Sequence, residues 1–156
     1  MDNLTPEQRK KAMAAVHSKN TKPEILIRKA LFALGYRYRI DYKKLPGRPD
    51  LALPKYHAVV FVHGCFWHGH SGCPNSKLPQ SNKEYWTLKI DRNRKRDGES
   101  LNHLHAIGWR VCIVWECAIQ GKNKKMKIER AALTISDWLQ NGGVWLEISS
   151  ATQREM

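Results

Sequence analysis

The sequence predicts an α/β fold, in which a central mixed β-sheet is flanked by helices. Two apolar runs, "AVVFV" from residue 58 and "VCIVW" from residue 111, are typical of buried strands. The segments around these runs carry apolar residues at helical spacing, as in Ile27, Ala30, Leu31 and Leu34. A chain of 156 residues suits one domain with one core.

Two helices are predicted at the start of the chain, each with its own start signal. "TPEQ" places Thr5 at an N-cap with Pro6 at the first helical position. "TKPE" repeats the pattern, with Thr21 and Glu24 as a capping box, and Gly35 is a C-terminal stop. The first helix is short and basic. We therefore expect residues 1–19 to form a basic helical arm and residues 20–156 to form a single domain.

The strands follow the second helix. "YRYRI" alternates aromatic or apolar residues with Arg, which predicts a half-buried strand. "LPGRPD" is predicted to be a turn, and "LAL" and "AVVFV" are predicted to be strands.

The second half of the chain alternates helix and strand. "SNKE" is a capping box from Ser81 to Glu84, and it heads a long basic helix that ends at Gly108. "VCIVW" is the last core strand, and a helix around Ile128–Leu139 follows it, ending at the Gly pair 142–143. "VWLEI" is predicted to be an edge strand.

The charge of the chain favours a polyanionic partner. Lys and Arg number 27 against 14 Asp and Glu, a formal net charge of +13. Neutralising phosphates releases condensed counterions, so such a surplus favours nucleic acid. The alternative is a basic protein without a polyanionic partner. The sequence has no apolar run of about 18 residues and no N-terminal signal pattern. We expect a cytoplasmic protein whose four cysteines are thiols or metal ligands.

The stretch "HGCFWHGHSGC" contains a metal-binding pattern. Cys65, His70 and Cys73 form C-x4-H-x2-C, a spacing that can wrap one zinc ion. The fourth ligand is Cys112 or Cys117. Cys112 lies inside the apolar strand, which favours core packing, whereas Cys117 follows the strand end. We therefore predict a structural Cys3His zinc site completed by Cys117. The alternative is a loop of free thiols.

Three further residues near this stretch are candidates for catalysis. Asp50, in "GRPD", begins one strand, and a neighbouring strand ends at Val62 and His63. A carboxylate placed there can hold a divalent cation such as Mg²⁺ against a phosphate. By itself, Asp50 is better explained as a turn residue after Pro49. A histidine side chain can accept a proton from water near neutral pH, so His68 is a candidate general base.

Four segments carry a resemblance to a known family: "LPGRPDLAL", "FVHGCFWHGH" with the later Cys73, "EYWTLKIDRNRKRD" and "GWRVCIVWEC". Between about Asn20 and Gln120 the chain resembles the very-short-patch repair (Vsr) DNA mismatch endonucleases. The resemblance implies a fold with a restriction-endonuclease-like core. It also implies a Mg²⁺-dependent nick in duplex DNA, 5′ to the T of a T:G mismatch. Such mismatches arise by deamination of 5-methylcytosine.

The resemblance implies roles for individual residues. Asp50 resembles the central Mg²⁺ ligand, together with the main-chain carbonyl of Val62, where the family pattern has Thr. His68 resembles the general base, and Glu24 the acid that orients it, although Glu24 is also explained as a capping-box residue. His63 is similar to a histidine that contacts the scissile phosphate. The family's structural zinc ligands match the set predicted from spacing: Cys65, His70, Cys73 and Cys117.

The resemblance also implies a DNA-binding surface. Phe66, Trp67 and Trp86 resemble an aromatic wedge that enters the DNA beside the mismatch. Basic residues of the long helix either contact phosphates or remain solvated, and we predict phosphate contacts for Lys89, Arg92 and Arg96. The expected partner is double-stranded DNA with a T:G mismatch, and family members also work with mismatch-repair matchmaker proteins. We expect a monomer in the bacterial cytoplasm, at the nucleoid when acting, with the basic arm able to lie along DNA.

Two alternative functions remain open from the sequence. One is a zinc-stabilised DNA-binding module without catalysis, which would have no need of Asp50, His63 and His68 beside the zinc ligands. The other is a nuclease of a restriction–modification system that acts on matched DNA.

Overall fold

A computed structural model describes residues 21–154, which build around a four-stranded sheet in the order β1-β2-β3-β4. The strands are β1 (Leu51–Leu53), β2 (Ala58–His63), β3 (Arg110–Trp115) and β4 (Trp145–Ile148). β1 runs antiparallel to β2, whereas β2, β3 and β4 are mutually parallel. The start of β1 therefore lies beside the end of β2.

Helices cover both faces of this sheet. They are α1 (Lys22–Ala33), α2 (Lys83–Ala106), α3 (Lys124–Asn141) and the short α4 (Ser150–Arg154). α2 connects β2 to β3 and α3 connects β3 to β4, as parallel strands require. The architecture confirms the predicted mixed sheet flanked by helices. Within the described residues, no helix is both long enough and apolar enough to cross a membrane.

The alternation of side chains along the strands separates two clusters of buried residues. Val60, Cys112 and Val114 face α1 and α3 in the larger cluster. Val59, Ile113 and Trp115 belong to the second cluster, to which α2 contributes Leu104. The residues of the zinc-binding pattern lie on the α2 side, because Cys65 and Cys117 are members of the second cluster. Cys112 is fully buried on the opposite side, as predicted.

The predicted strand "YRYRI" is wrong. Only an isolated bridge joins Arg39 to Ala52, with reciprocal main-chain hydrogen bonds of 2.8 and 2.9 Å. Its partner β1 is three residues long, and Asp41, with φ of 54°, turns the chain away two residues after the bridge. The residues that follow it, Asp41, Tyr42 and Lys43, line a cleft described below.

The predicted capping boxes are also wrong within the described residues. Thr21 is the N-cap of α1 but its side chain makes no capping hydrogen bond. α2 begins after Asn82, in the left-handed conformation, rather than at Ser81, and again without a side-chain cap. The predicted stops of α1, α2 and α3 at Gly35, Gly108 and Gly142 are confirmed to within two residues. The predicted basic arm, residues 1–19, lies outside the described residues.

Candidate active site and metal site

A cluster of four potential metal ligands lies on the α2 side of the sheet. One nitrogen of His70 and the Sγ atoms of Cys65, Cys73 and Cys117 all lie within 4.8 Å of one another. Tetrahedral ligands with Zn–S bonds of about 2.3 Å would be roughly 3.8 Å apart. The cluster is therefore near the size that one tetrahedral ion requires. The four residues are those predicted from the sequence, and the structure brings them together.

The chemistry of this cluster also suits a cation. Burial raises the pKa of the Cys65 thiol, and the neighbouring thiols of Cys117 and Cys73 raise it further. Burial lowers the pKa of His70, which keeps its imidazole neutral and able to ligate. Grouped thiolates are costly without a positive partner, so a bound cation would stabilise the loop.

Local contacts hold the ligands in place. The His70 amide donates to the Cys65 carbonyl at 2.9 Å, and Ser76 Oγ donates to the carbonyls of His70 and Cys73. The His70 ring stacks on Trp115, with 4.0 Å between ring centroids. The sheet thereby fixes the orientation of this imidazole. Trp115, predicted only as a core residue, is buried and also supports the cluster of potential metal ligands.

A pair of carboxylates occupies the edge where β1 starts and β2 ends. Asp50 directly precedes β1, and its Oδ2 accepts a 2.5 Å hydrogen bond from the main-chain N–H of Val62. The Glu24 carboxyl, from the first turn of α1, lies against Asp50 and accepts a 3.0 Å hydrogen bond from Arg28. Burial and then the charge of Glu24 raise the pKa of Asp50 well above its usual value. A buried acid in contact with a half-buried one is a candidate cation site.

Glu24 therefore does not orient His68, as the resemblance had implied. The carboxylate in contact with His68 is Asp97 of α2, whose Oδ2 lies 2.6 Å from His68 Nδ1. Glu24 instead forms an ion pair with Arg28 and contacts Asp50, because all three residues lie at the junction of α1 and β1. Its contact with Asp50 places Glu24 in the candidate cation site.

His68 also stacks on His63. The two imidazole rings are nearly parallel, with 3.8 Å between centroids and 2° between planes. His63 is the last residue of β2, and burial followed by the charge of His68 lowers its pKa to about 3. His63 Nδ1 is buried without a hydrogen-bond partner among the described residues. The structure thus brings both predicted histidines together, with Asp97 completing the group.

Asp97 is a site residue that the sequence interpretation missed. It lies 29 residues after His68, in a long polar helix that also carries Asp91 and Glu99. No spacing rule links a loop histidine to one acid among several on a later helix. The pairing of Asp97 with His68 can be recognised only when the rotation of α2 relative to the loop is known.

The three predicted wedge residues form one aromatic cluster. Phe66, Trp67 and Trp86 contact each other edge to face, with ring centroids 5.2 to 5.6 Å apart. Tyr85 extends the cluster and was not predicted. The three predicted rings are half-buried, whereas Tyr85 is exposed, so the three behave as a preformed unit rather than as separate flexible side chains.

The loop that carries this cluster is docked tightly on α2. Asn93, a buried polar residue, donates a 2.9 Å hydrogen bond from Nδ2 to the Trp67 carbonyl. Gly69 has φ of 60°, and a Cβ there would lie 2.7 Å from Ile90 Cγ2. Glycine is therefore required by both the backbone conformation and the close approach. These two contacts set the positions of Trp67 and His68 together.

Two neighbouring clefts contain the candidate catalytic groups. The first, which we name the acid cleft, has a volume of about 620 Å³ and includes Glu24, Arg28 and Asp50 in its lining. The second, the basic cleft, has a volume of about 1020 Å³ and includes His68 and Asp97. All three helix residues predicted to contact phosphate line the basic cleft: Lys89, Arg92 and Arg96.

Comparison with known proteins agrees with this arrangement. The family model described as DNA mismatch endonuclease Vsr matches residues 1–74. The DNA mismatch endonuclease Vsr of Escherichia coli is 37% identical over 142 residues, which cover 91% of this chain and 90% of the relative.

Two further relatives are named type II nicking enzymes. V.XorIIP of Xanthomonas oryzae is 50% identical over 118 residues, covering 76% of this chain and 86% of the relative. V.NmeAIP of Neisseria meningitidis is 47% identical over 129 residues, covering 83% of this chain and 90% of the relative.

Carboxylates and histidines at one edge of a mixed sheet, beside basic and aromatic surfaces, define a DNA endonuclease, in agreement with these relatives. The chain belongs to the Vsr family of DNA mismatch endonucleases, with the restriction-endonuclease-like core of that family.

Replacing Asp97 by Asn is expected to slow DNA nicking by about 10²–10⁴-fold, because an amide no longer fixes the tautomer and orientation of His68. The rate is measured in single turnover, and the melting temperature and metal content are expected to stay near those of the wild type. Glu99→Gln, an exposed change on the same helix, is the matched control. Equal rates for the two variants would contradict a positioning role for Asp97.

Proposed function

We propose that this endonuclease is a Mg²⁺-dependent nickase that cuts one strand of duplex DNA 5′ to the T of a T:G mismatch. The observation that carries the proposal is the convergence of the Glu24–Asp50 pair with the His63–His68–Asp97 group at the end of β2. The first group suits a hard cation and the second suits proton transfer, which together are the requirements of phosphodiester hydrolysis.

The proposed chemistry assigns each group a task. Asp50 would hold Mg²⁺ with the main-chain carbonyl of Val62, and Glu24 would add a second carboxylate at the same place. When bound, the ion supplies positive charge to the phosphoryl oxygens. His68 accepts the proton of the attacking water while Asp97 holds its Nδ1 side. We assign the contact with the scissile phosphate to His63, from its resemblance to the family histidine with that role. The product carries a 5′-phosphate.

Mismatch preference is assigned to the aromatic cluster. Inserting Phe66, Trp67 and Trp86 between base steps costs a few kcal/mol of unstacking, and this cost is smallest at a mismatch. Stacking returns about 1–3 kcal/mol per base. Because the cluster is preformed and anchored through Asn93, little ordering of its own side chains opposes insertion.

The second metal in the proposal is structural zinc. Cys65, His70, Cys73 and Cys117 offer three thiolates and an imidazole, which zinc prefers and Mg²⁺ does not. Four protein ligands leave no open coordination position, so this ion takes no part in hydrolysis. It fixes the loop that carries Phe66, Trp67 and His68.

The wider setting is also part of the proposal. We assign residues 20–156 to a single endonuclease domain and residues 1–19 to a basic arm that lies along the DNA. Lys89, Arg92 and Arg96 contact phosphates along the basic cleft. The protein acts as a monomer at the bacterial nucleoid, where mismatch-repair matchmaker proteins are candidate partners.

The test is nicking of a duplex with one T:G pair beside its matched T:A control, each with Mg²⁺ or EDTA. We expect one nick, 5′ to the T, in the T:G duplex with Mg²⁺ only. A second candidate is a nuclease of a restriction–modification system that acts on matched DNA, which the name "type II nicking enzyme" of several relatives fits in part. Equal cutting of both duplexes would support that candidate. Binding without cutting would support a non-catalytic DNA-binding module.

A further inference from the structure

Arg48 has an unusual backbone conformation. Five described residues other than glycine have positive φ: Asp41, Arg48, His57, Asn82 and Asn123. Asp, His and Asn are the residue types enriched in this region, and Arg48, at 49°, is the exception. It also precedes Pro49, a position that favours extended backbone. Such strain persists only where the surrounding structure imposes it, and it is concentrated at functional sites.

Close contacts at the preceding residue, Gly47, impose this conformation. Gly47 has φ of 81°, and a Cβ there would lie 2.7 Å from Ser100 Cβ of α2 and 3.5 Å from Phe61 Cζ of β2. The turn is therefore pressed between the long helix and the sheet. The packing at Gly47 therefore leaves the main chain of Arg48 with little conformational freedom.

The position of Arg48 joins the two clefts. Gly47 and Arg48 line both the acid cleft and the basic cleft. The Arg48 side chain is exposed, and no described carboxylate or carbonyl accepts a hydrogen bond from its guanidinium. Arg28, the other arginine of the acid cleft, already donates to Glu24. Arg48 is thus an unpaired cation at the boundary between the metal-side acids and the His68–Asp97 pair.

The negative charges on either side explain why a cation is needed there. A DNA strand that passes from the basic cleft to the acid cleft brings its phosphate near Asp97, Asp50 and Glu24, all of which repel it. We propose that Arg48 binds the non-bridging oxygens of the phosphate that lies between the two clefts. Its planar guanidinium can donate two parallel hydrogen bonds to one phosphate. This inference rests on the proposed nickase function and names a phosphate-binding residue of that site.

The experiment compares three substitutions at Arg48. Arg48→Gly and Arg48→Asn remove the charge and suit the left-handed backbone, whereas Arg48→Lys keeps the charge and loses the two-pronged geometry. Lys122→Asn, in an exposed turn away from both clefts, is the control for the loss of one charge. Each variant is measured for melting temperature, for single-turnover nicking of the T:G duplex, and for the salt dependence of DNA binding in EDTA.

We expect Arg48→Gly and Arg48→Asn to slow nicking by about 10²-fold. The slope of log affinity against log salt should fall by about one unit in both variants. Their melting temperatures should equal or exceed that of the wild type, because the backbone strain is relieved. Arg48→Lys should keep the salt slope and recover the rate only in part, and Lys122→Asn should keep the rate.

Three results would overturn the inference. They are wild-type nicking and salt slope in both neutral variants, a fall in melting temperature in both, or an equal loss in Lys122→Asn. The slope of log affinity against log salt is measured from DNA binding alone, without cleavage. If the wild type fails to nick T:G DNA, the proposed function fails, and the contact between Arg48 and phosphate is still decided by the slope.

Discussion

Asp50→Asn is expected to abolish nicking and, in the absence of metal, to stabilise the fold. Loss of a Mg²⁺ ligand removes several kcal/mol of transition-state stabilisation, or about 10³-fold in rate. The new amide oxygen can still accept the Val62 N–H, so the local main-chain contact survives. Removing one of the two acids in contact relieves repulsion with Glu24, for which we expect a gain of about 1–2 kcal/mol.

The stability gain of Asp50→Asn depends on pH in a defined direction. The pKa of Asp50 is raised in the folded protein, so the folded state retains the proton more readily than the unfolded state. The wild type therefore loses stability as the pH rises from about 4, the unfolded pKa, through the raised folded pKa. The gain of the variant should be small near pH 4 and largest at neutral pH.

Thermal unfolding in EDTA and in Mg²⁺, at several pH values, checks this expectation. Mg²⁺ should raise the melting temperature of the wild type and leave Asp50→Asn nearly unchanged, because a ligand stabilises only the state that binds it. Asp91→Asn, an exposed change on α2, is the control. If Asp50→Asn is less stable than the wild type in EDTA at pH 7, the Asp50 carboxylate stabilises the metal-free fold, and the expectation that it destabilises this fold is wrong.

Cys117→Ala is expected to lose zinc, whereas Cys112→Ala is expected to keep about one zinc ion per chain. Cys117 Sγ lies 3.6 Å from His70 Nδ1 within the ligand cluster, while Cys112 is fully buried on the opposite face of the sheet. A structural zinc site contributes many kcal/mol of folding free energy. Removing one ligand should therefore lower the melting temperature by roughly 10 °C.

The comparison of the two cysteines separates ligation from packing. Cys112→Ala leaves a small cavity, which we expect to cost about 1 kcal/mol without loss of metal. Nicking should fall in Cys117→Ala, because the loop that ends in the cluster also carries Trp67 and His68. Metal analysis of the purified proteins is the measurement. Retention of stoichiometric zinc by Cys117→Ala, or its loss from Cys112→Ala, would contradict the assignment of ligands.

Much of the fold could be predicted because its signals are local. The runs "AVVFV" and "VCIVW" are hydrophobic enough to specify buried strands, and both are strands. "YRYRI" has an equally good alternating pattern, yet it forms only one bridge, because β1 offers three residues and Asp41 turns the chain away. A strand depends on its partner as well as on its own pattern.

The sequence by itself determined the metal cluster, because three of its ligands lie within nine residues and only the choice between Cys112 and Cys117 required the position of a strand. It also indicated that Asp50 begins one strand and that a second strand ends at His63, whereas the antiparallel pairing that brings Asp50 beside Val62 was seen only in the structure. The tertiary structure alone decided the carboxylate partners, pairing Glu24 with Asp50 and Asp97 with His68. The physical reason is that the helix sequence does not fix how α2 is rotated against the loop. That rotation is set by the close contact at Gly69 and the hydrogen bond of Asn93.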